Sequence, residues 1–220
     1  MQTLLGFCNV FLLTNGDKTI LIDTSLSRFR NGLLHFIKQS GISDIDYLIL
    51  THAHYDHAAN ANLIKEKYKA SVIVHKNEAT YLATGDNIKP KGTILFTKLI
   101  VKLFGKRFFT KLKYEPCKPD ISVDSEYDLK SVGFNARLIH TPGHTAGSLS
   151  LIIDDEIAIV GDAMFGVFKR SVFPPYAEDE KLMIKSWAKL LATKCSLFIP
   201  SHGSANTRAL VQKEYNKRNK

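Results

Sequence analysis

The sequence predicts a layered α/β fold, and three observations carry that prediction. Two apolar runs, 7–13 and 19–22, flank Thr14-Asn15-Gly16-Asp17-Lys18, and Asn-Gly between such runs is a strong hairpin signal. Residues 44–50 read as a buried strand that passes through a short polar loop into a helix over 58–67. Later apolar runs at 135–140, 157–160 and 196–200 each end in a loop that carries His or Asp. Carboxyl ends of strands are where functional groups gather in layered α/β folds.

Each element follows in order. The leader 1–13 is apolar but lacks a basic start and a small-residue cleavage site, so it reads as a strand rather than a signal peptide. Residues 29–39 place Leu33, Leu34, Phe36 and Ile37 at helical spacing, and Gly41 ends that helix. His35 on this helix and His75 after the strand 71–74 read as surface or packing residues. Short strands are expected within 121–128, and 149–153 with 157–160 form an apolar hairpin around Asp154-Asp155-Glu156. With 220 residues, 45% of them hydrophobic and 10% aromatic, the chain is expected to be one globular domain over 1–220. Nothing in it approaches the roughly 20 apolar residues of a membrane span. Cys8, Cys117 and Cys195 are odd in number and far apart, so they read as packing residues of a protein in a reducing cytoplasm.

The loop Thr51-His52-Ala53-His54-Tyr55-Asp56-His57 crowds three imidazoles and a carboxylate into six positions. On backbone that leaves a strand still extended, His52 and His54 point to one side, because side chains alternate with period two. They can grip one ion, while Asp56 and His57, where the chain turns into the helix, can aim at a second. Imidazole and carboxylate without thiolate favour zinc or iron over calcium or magnesium. One loop cannot complete two coordination shells, so further ligands are expected from elsewhere. Candidates are His144 in Thr141-Pro142-Gly143-His144, Asp162 after Gly161, and His202 in Ser201-His202-Gly203. Pro142 and Gly143 enforce a tight turn, and small Ala146 and Gly147 permit close backbone approach. Asp23, at the end of the second strand, either caps the next helix or orients a ligand histidine.

Residues 89–113 change character. They carry eight Lys and Arg and no acidic residue; taking these and the tail's net three from the total of +9 leaves −2, so the body of the chain is not basic. Lys98, Lys102 and Lys106 recur every four residues on one helical face, and Ile94, Leu95, Phe96, Leu99, Ile100, Val101, Leu103 and Phe104 cover the rest. So broad an apolar surface needs a partner. The first reading of 93–109 is a lid over the catalytic cleft or a dimer contact; a membrane-surface helix or an anionic-substrate clamp is the second. Basic residues interleave with Phe104, Phe108 and Phe109, but nucleic acid is not the favoured partner.

The full pattern, His-x-His-x-Asp-His followed by separate His, Asp and His loops, resembles the metallo-β-lactamase superfamily over nearly the whole chain, with an insertion at about 85–118. The resemblance implies an αββα sandwich, a four-layer fold in which two mixed sheets lie face to face between helices. It implies that His52, His54 and His144 bind one divalent ion, that Asp56, His57 and His202 bind the other, and that Asp162 bridges them. Zinc is the expected metal, with iron or manganese as alternatives. Two such ions share a water and lower its pKa toward neutrality, which supplies a hydroxide nucleophile. Asp56 is placed to accept a hydrogen bond from it and pass the proton to the leaving group. His140, Phe165, Lys169, Arg170 and Tyr176 are candidates for orienting or substrate contacts, or ordinary loop residues.

Departures from subfamilies narrow the substrate. An aspartate at position 162 argues against true β-lactamases, and only 203–220 remain where glyoxalase II enzymes carry a helical domain. The expected activity is hydrolysis of a small ester, thioester, lactone or phosphodiester. A mononuclear iron persulfide dioxygenase using His52, His54 and Asp162 or His144, and a nuclease of the same superfamily, are the alternatives.

Overall fold

A computed structural model describes residues 1–108 and 112–219, and for 106–108 the backbone alone. The side chains of Lys106, Arg107, Phe108, Phe109 and Lys111, counted above in the basic segment, lie outside the described residues.

Two six-stranded mixed sheets form the body. The first runs β1 (Gln2–Leu5), β2 (Cys8–Thr14), β3 (Thr19–Ile22), β4 (Tyr47–Ile49), β5 (Ser71–His75) and β6 (Ile121–Val123), in that spatial order. The expected hairpin is β2–β3, with Asn15 Oδ1 accepting the amides of Asp17 and Lys18 in the turn. The single leader strand is instead two. Gly6, at φ +70°, turns the chain between β1 and β2, and an added Cβ there would fall 2.2 Å from the Phe29 ring.

The second sheet contains β7 (Glu126–Asp128), β8 (Ala136–His140), β9 (Leu149–Ile153), β10 (Ile157–Gly161), β11 (Leu197–Pro200) and β12 (Asn206–Thr207), ordered from β12 to β7. Between β6 and β7 the chain crosses from one sheet to the other within Asp124 and Ser125.

Strand alternation sorts the apolar residues into three cores that fix four layers. Ile20 and Ile22 of β3 meet Leu138, Leu149, Leu151 and Ile159 of the second sheet in the central core. Leu21, between them in sequence, faces the other way. It packs with Leu48, Val72 and Val74 against helices α1 (Arg30–Gln39), α3 (Ala61–Tyr68) and α4 (Lys76–Thr84). A short helix, α2 (Tyr55–Ala58), precedes α3. On the far side, α6 (Glu180–Ala192) and α7 (Arg208–Arg218) bury Met183, Trp187, Leu190 and Val211 against Ile152, Ala158, Val160 and Phe198. The basic segment contains α5 (Leu95–Phe108). This is the expected αββα sandwich.

Parallel pairing decides where the functional loops emerge. Strands β3, β4 and β5 run parallel, as do β10 and β11. Asp23 and the His52–His57 loop therefore leave one sheet at the same edge, and Asp162 and His202 leave the other side by side.

Candidate metal centre

The four loops converge on one another. His52 Nε2 and His144 Nε2 lie 2.9 and 3.0 Å from His54 Nδ1. Beside this triangle, His202 Nε2 is 3.3 Å from Asp56 Oδ2 and 3.3 Å from Asp162 Oδ2. His57 Nε2 stands 3.7 Å from Asp56 Oδ2 and 3.6 Å from Asp162 Oδ1. Asp162 also reaches the first triangle, with Oδ2 at 3.5 Å from His144 Nε2. Its carboxylate thus stands against both groups.

What lies behind the rings decides what they present to the centre. The far nitrogens of three imidazoles meet acceptors: His57 Nδ1 meets Asp23 Oδ2 at 2.8 Å, His144 Nδ1 the Tyr176 carbonyl at 2.9 Å, and His202 Nδ1 the Phe7 carbonyl at 2.5 Å. Each of those nitrogens must therefore carry the proton. The Thr51 hydroxyl donates to Asp23, which leaves its oxygen to accept from His52 Nδ1 at 3.1 Å. Four imidazoles thus turn Nε2, the nitrogen that a metal ion would take, inward toward two carboxylates. His57 Nε2 and Asp162 Oδ1, both turned inward, are buried with no hydrogen-bond partner among the described residues. Imidazole nitrogens and carboxylates buried this close together are costly unless protons or metal ions join them. The nitrogen spacing of the first triangle also approaches the ~3.3 Å that tetrahedral zinc with Zn–N of about 2.0–2.1 Å imposes. The residues present fit two metal ions.

The charges differ between the two groups. Burial holds His52 well below the ordinary imidazole value and His54 at about 3, and it lowers His144 as well. Burial opposes charge on His57 too, but the carboxylates of Asp56, Asp23 and Asp162 outweigh it and hold the ring well above its ordinary value. His202 is likewise raised against burial, by Asp162 and Asp56. Burial resists ionisation of the two inward acids, yet the surrounding imidazoles hold Asp56 well below the carboxylate range and Asp162 at about 2.

Residues 3–202 match the sequence model of the metallo-beta-lactamase superfamily. The chain belongs to the metallo-beta-lactamase superfamily. It is 35% identical over 161 residues to the probable metallo-hydrolase MJ0888 of Methanocaldococcus jannaschii, covering 73% of this chain and 69% of that one. It is 27% identical over 201 residues to the metallo-beta-lactamase fold-containing protein ST1585 of Sulfurisphaera tokodaii, covering 88% and 72%. Among solved structures, that of TTHA1623 in a di-iron-bound form superposes with a TM-score of 0.70 at 22% identity, covering 97% of this chain and 98% of that one. This chain is a metallo-hydrolase of the superfamily.

Within this superfamily frame the sequence candidates divide. His52, His54, Asp56, His57, His144, Asp162 and His202 come together as described. Asp23 caps no helix: buried, it orients His57 and accepts from the Thr51 amide at 2.8 Å and Ser201 Oγ at 3.1 Å. Phe165 and Tyr176 line a cavity of about 920 Å³ in front of the centre, together with Phe7, Leu26, Ile100 and Phe104. Lys169 and Arg170 are exposed and are not among the residues lining it; among the described residues, the Lys or Arg at its wall is Arg28. His140 stacks on His75 at 3.9 Å and bonds the Ala146 carbonyl through Nε2, so it holds the loop carrying His144. All three cysteines are buried, and Cys8 does more than pack, since its sulfur lies 3.8 Å from His57 Nδ1.

Sequence reasoning missed Glu78. Buried on α4, it accepts the Ala53 amide, between His52 and His54, and the Gly147 amide beyond His144, each at 2.9 Å. A Cβ on residue 147 would fall 2.4 Å from this side chain, so the small residue there admits Glu78. Helix α6 secures the same region. Trp187 Nε1 donates to the Ala163 carbonyl and Ser186 Oγ to the Pro142 carbonyl, both at 2.6 Å.

Proposed function

We propose that this chain is a binuclear metal-dependent hydrolase of small acyl esters and thioesters. The observation that carries the reading is the set of inward imidazole nitrogens and carboxylates, with the rings oriented from behind by Asp23, Thr51, Phe7 and Tyr176. His52, His54 and His144 would hold one ion and Asp56, His57 and His202 the other, with Asp162 between them. When bound, such a pair lowers the pKa of water and polarises a carbonyl or phosphoryl oxygen.

The chain's own residues do the rest. Asp56 lines the cavity with its carboxylate 38% exposed, and its lowered pKa keeps it ionised, an acceptor that orients an attacking water. Asp23 keeps the His57 ring aimed at the centre. Phe7, Leu26, Ile100, Phe104 and Phe165 give the cavity apolar walls that suit an acyl group and exclude water, and Arg28 offers one cation to a carboxylate or phosphate on the substrate. The thioester reading is supported by a relative named hydroxyacylglutathione hydrolase, from Haemophilus influenzae, 30% identical over 168 residues.

Elemental analysis of the purified chain, paired with chromogenic esters, thioesters, lactones and bis-phosphodiesters, tests this. Two metal ions per chain and acyl hydrolysis lost on chelation are expected. One iron per chain with oxygen consumption on a persulfide would overturn it in favour of a dioxygenase, and turnover confined to phosphodiesters would move it to the nucleases.

A further inference from the structure

Helix α5 is built inside out. Its inward side carries the buried Thr97 and Gly105 and the half-buried Ile100 and Val101. The opposite side carries Leu95, Phe96, Leu99 and Leu103, which are 86%, 69%, 53% and 63% exposed. At about 100° per residue these four side chains form one continuous stripe, and Lys98 and Lys102 flank it on one edge. Single exposed leucines need no account, but a contiguous stripe on one helix marks an interaction surface. Phe7, which lines the cavity together with Ile100 and Phe104 of α5, is itself 75% exposed. Phe7 on the cavity wall and the outward stripe of α5 thus both expose apolar side chains to solvent.

Charge selects the occupant. Residues 89–113 hold eight cations and no acid, whereas the rest of the chain is close to neutral. Lys98 lies 3.5 Å from Glu180, and both remain largely exposed; among the described residues Lys102 has no ion pair. A second copy paired antiparallel on this face would bring Lys98 and Lys102 beside their own counterparts, which like-charge repulsion opposes. An anionic surface with an apolar interior satisfies the stripe and its flank together.

We propose that the outward face of α5 docks on an anionic lipid bilayer. Leu95, Phe96, Leu99 and Leu103 enter the boundary between headgroups and acyl chains, and Lys98 and Lys102 meet lipid phosphates. Docking sets the cavity mouth, whose wall the same helix supplies, beside the membrane surface. No step of this depends on the hydrolase reading.

The test is co-sedimentation of the metal-loaded full chain with phosphatidylcholine vesicles made with and without phosphatidylglycerol. Binding should require the anionic lipid and weaken with salt. It should fall about 25-fold or more in Lys98→Glu/Lys102→Glu, since each cation near an anionic surface contributes about fivefold. Leu95→Ser/Leu99→Ser should lose a similar amount, with metal content and thermal midpoint unchanged in both variants. Absence of binding, equal binding to neutral vesicles, or binding that both variants retain would each overturn the proposal. A concentration-dependent dimer dissolved by Leu95→Ser/Leu99→Ser would reassign the face to a second copy.

Discussion

The two halves of the centre are made from similar side chains, yet they hold different charge. His52, His54 and His144 surround their point with neutral rings, because burial disfavours protonation and their neighbours are mostly one another. His57 and His202 are equally enclosed but stand against Asp56 and Asp162, whose negative charge outweighs the same burial. Burial therefore does not set the charge of an imidazole until its nearest charged neighbour is named. The supports differ in the same way. Glu78 braces the first half through backbone amides, and Asp23 braces the second through an imidazole proton.

The largest effects should come where the halves meet. Asp162 touches both, so Asp162→Ala should cost about a thousandfold or more in turnover and lower occupancy of both ions, whereas His57→Ala should cost as much turnover while the first ion stays bound. Metal analysis of each variant, beside its rate, reads this directly. The circular dichroism spectrum should be unchanged, since neither side chain belongs to the three apolar cores. Full occupancy of both ions in Asp162→Ala would show that the halves are independent.

The next effect is a difference in pH dependence. A metal ligand must be deprotonated, so an imidazole whose folded pKa is raised binds metal less well as pH falls below that value, by about tenfold per proton per pH unit. Near neutrality His57 and His202 must each give up a proton and the first three rings none. The second ion's affinity should thus fall about a hundredfold per pH unit while the first ion's hardly changes. For the metal-free fold the sign is opposite: the raised imidazoles stabilise it fully below ~6.5, and that stability is lost as pH rises through their folded values. Calorimetric titration in buffers of different ionisation enthalpy counts the protons released, and equal counts for the two ions would remove the distinction.

How much of this was legible follows from distance along the chain. Four of the seven proposed ligands lie within six consecutive residues, so their convergence is a local matter, and the three later ones each follow an apolar run that reads as a strand. Asp23 was legible only as one of two alternatives, because its partners His57 and Ser201 lie 34 and 178 positions away. Glu78 was hidden in a helix between other elements, although Glu78 and Leu82 share one face at i, i+4, and an acid on a buried face is the signal that would have found it. Periodicity revealed that 95–104 is amphipathic, but not that its apolar stripe faces outward. The break at Gly6 and the crossing at Asp124 and Ser125 escaped for a related reason: alternation describes a strand and not the sheet it joins.

Smaller effects should separate the two braces. Asp23→Asn keeps the shape but weakens the acceptor behind His57, and changes of this kind cost roughly 10–100-fold in metal affinity or activity. The loss should fall mainly on the second ion, with a lesser share on the first through Thr51 and His52. Glu78→Gln acts from the other side and more mildly. Its new NH2 group faces one of the two amides that the carboxylate accepted, leaving a buried donor unpaired at about 1–3 kcal/mol. For a chain of this size that lowers the thermal midpoint by several degrees. Because Glu78 holds Ala53 and Gly147 rather than any imidazole, the variant should bind the second ion normally and the first more weakly. A midpoint that drops while both affinities stay at wild-type values would reduce Glu78 to a brace of the fold, with no part in the spacing of His52, His54 and His144.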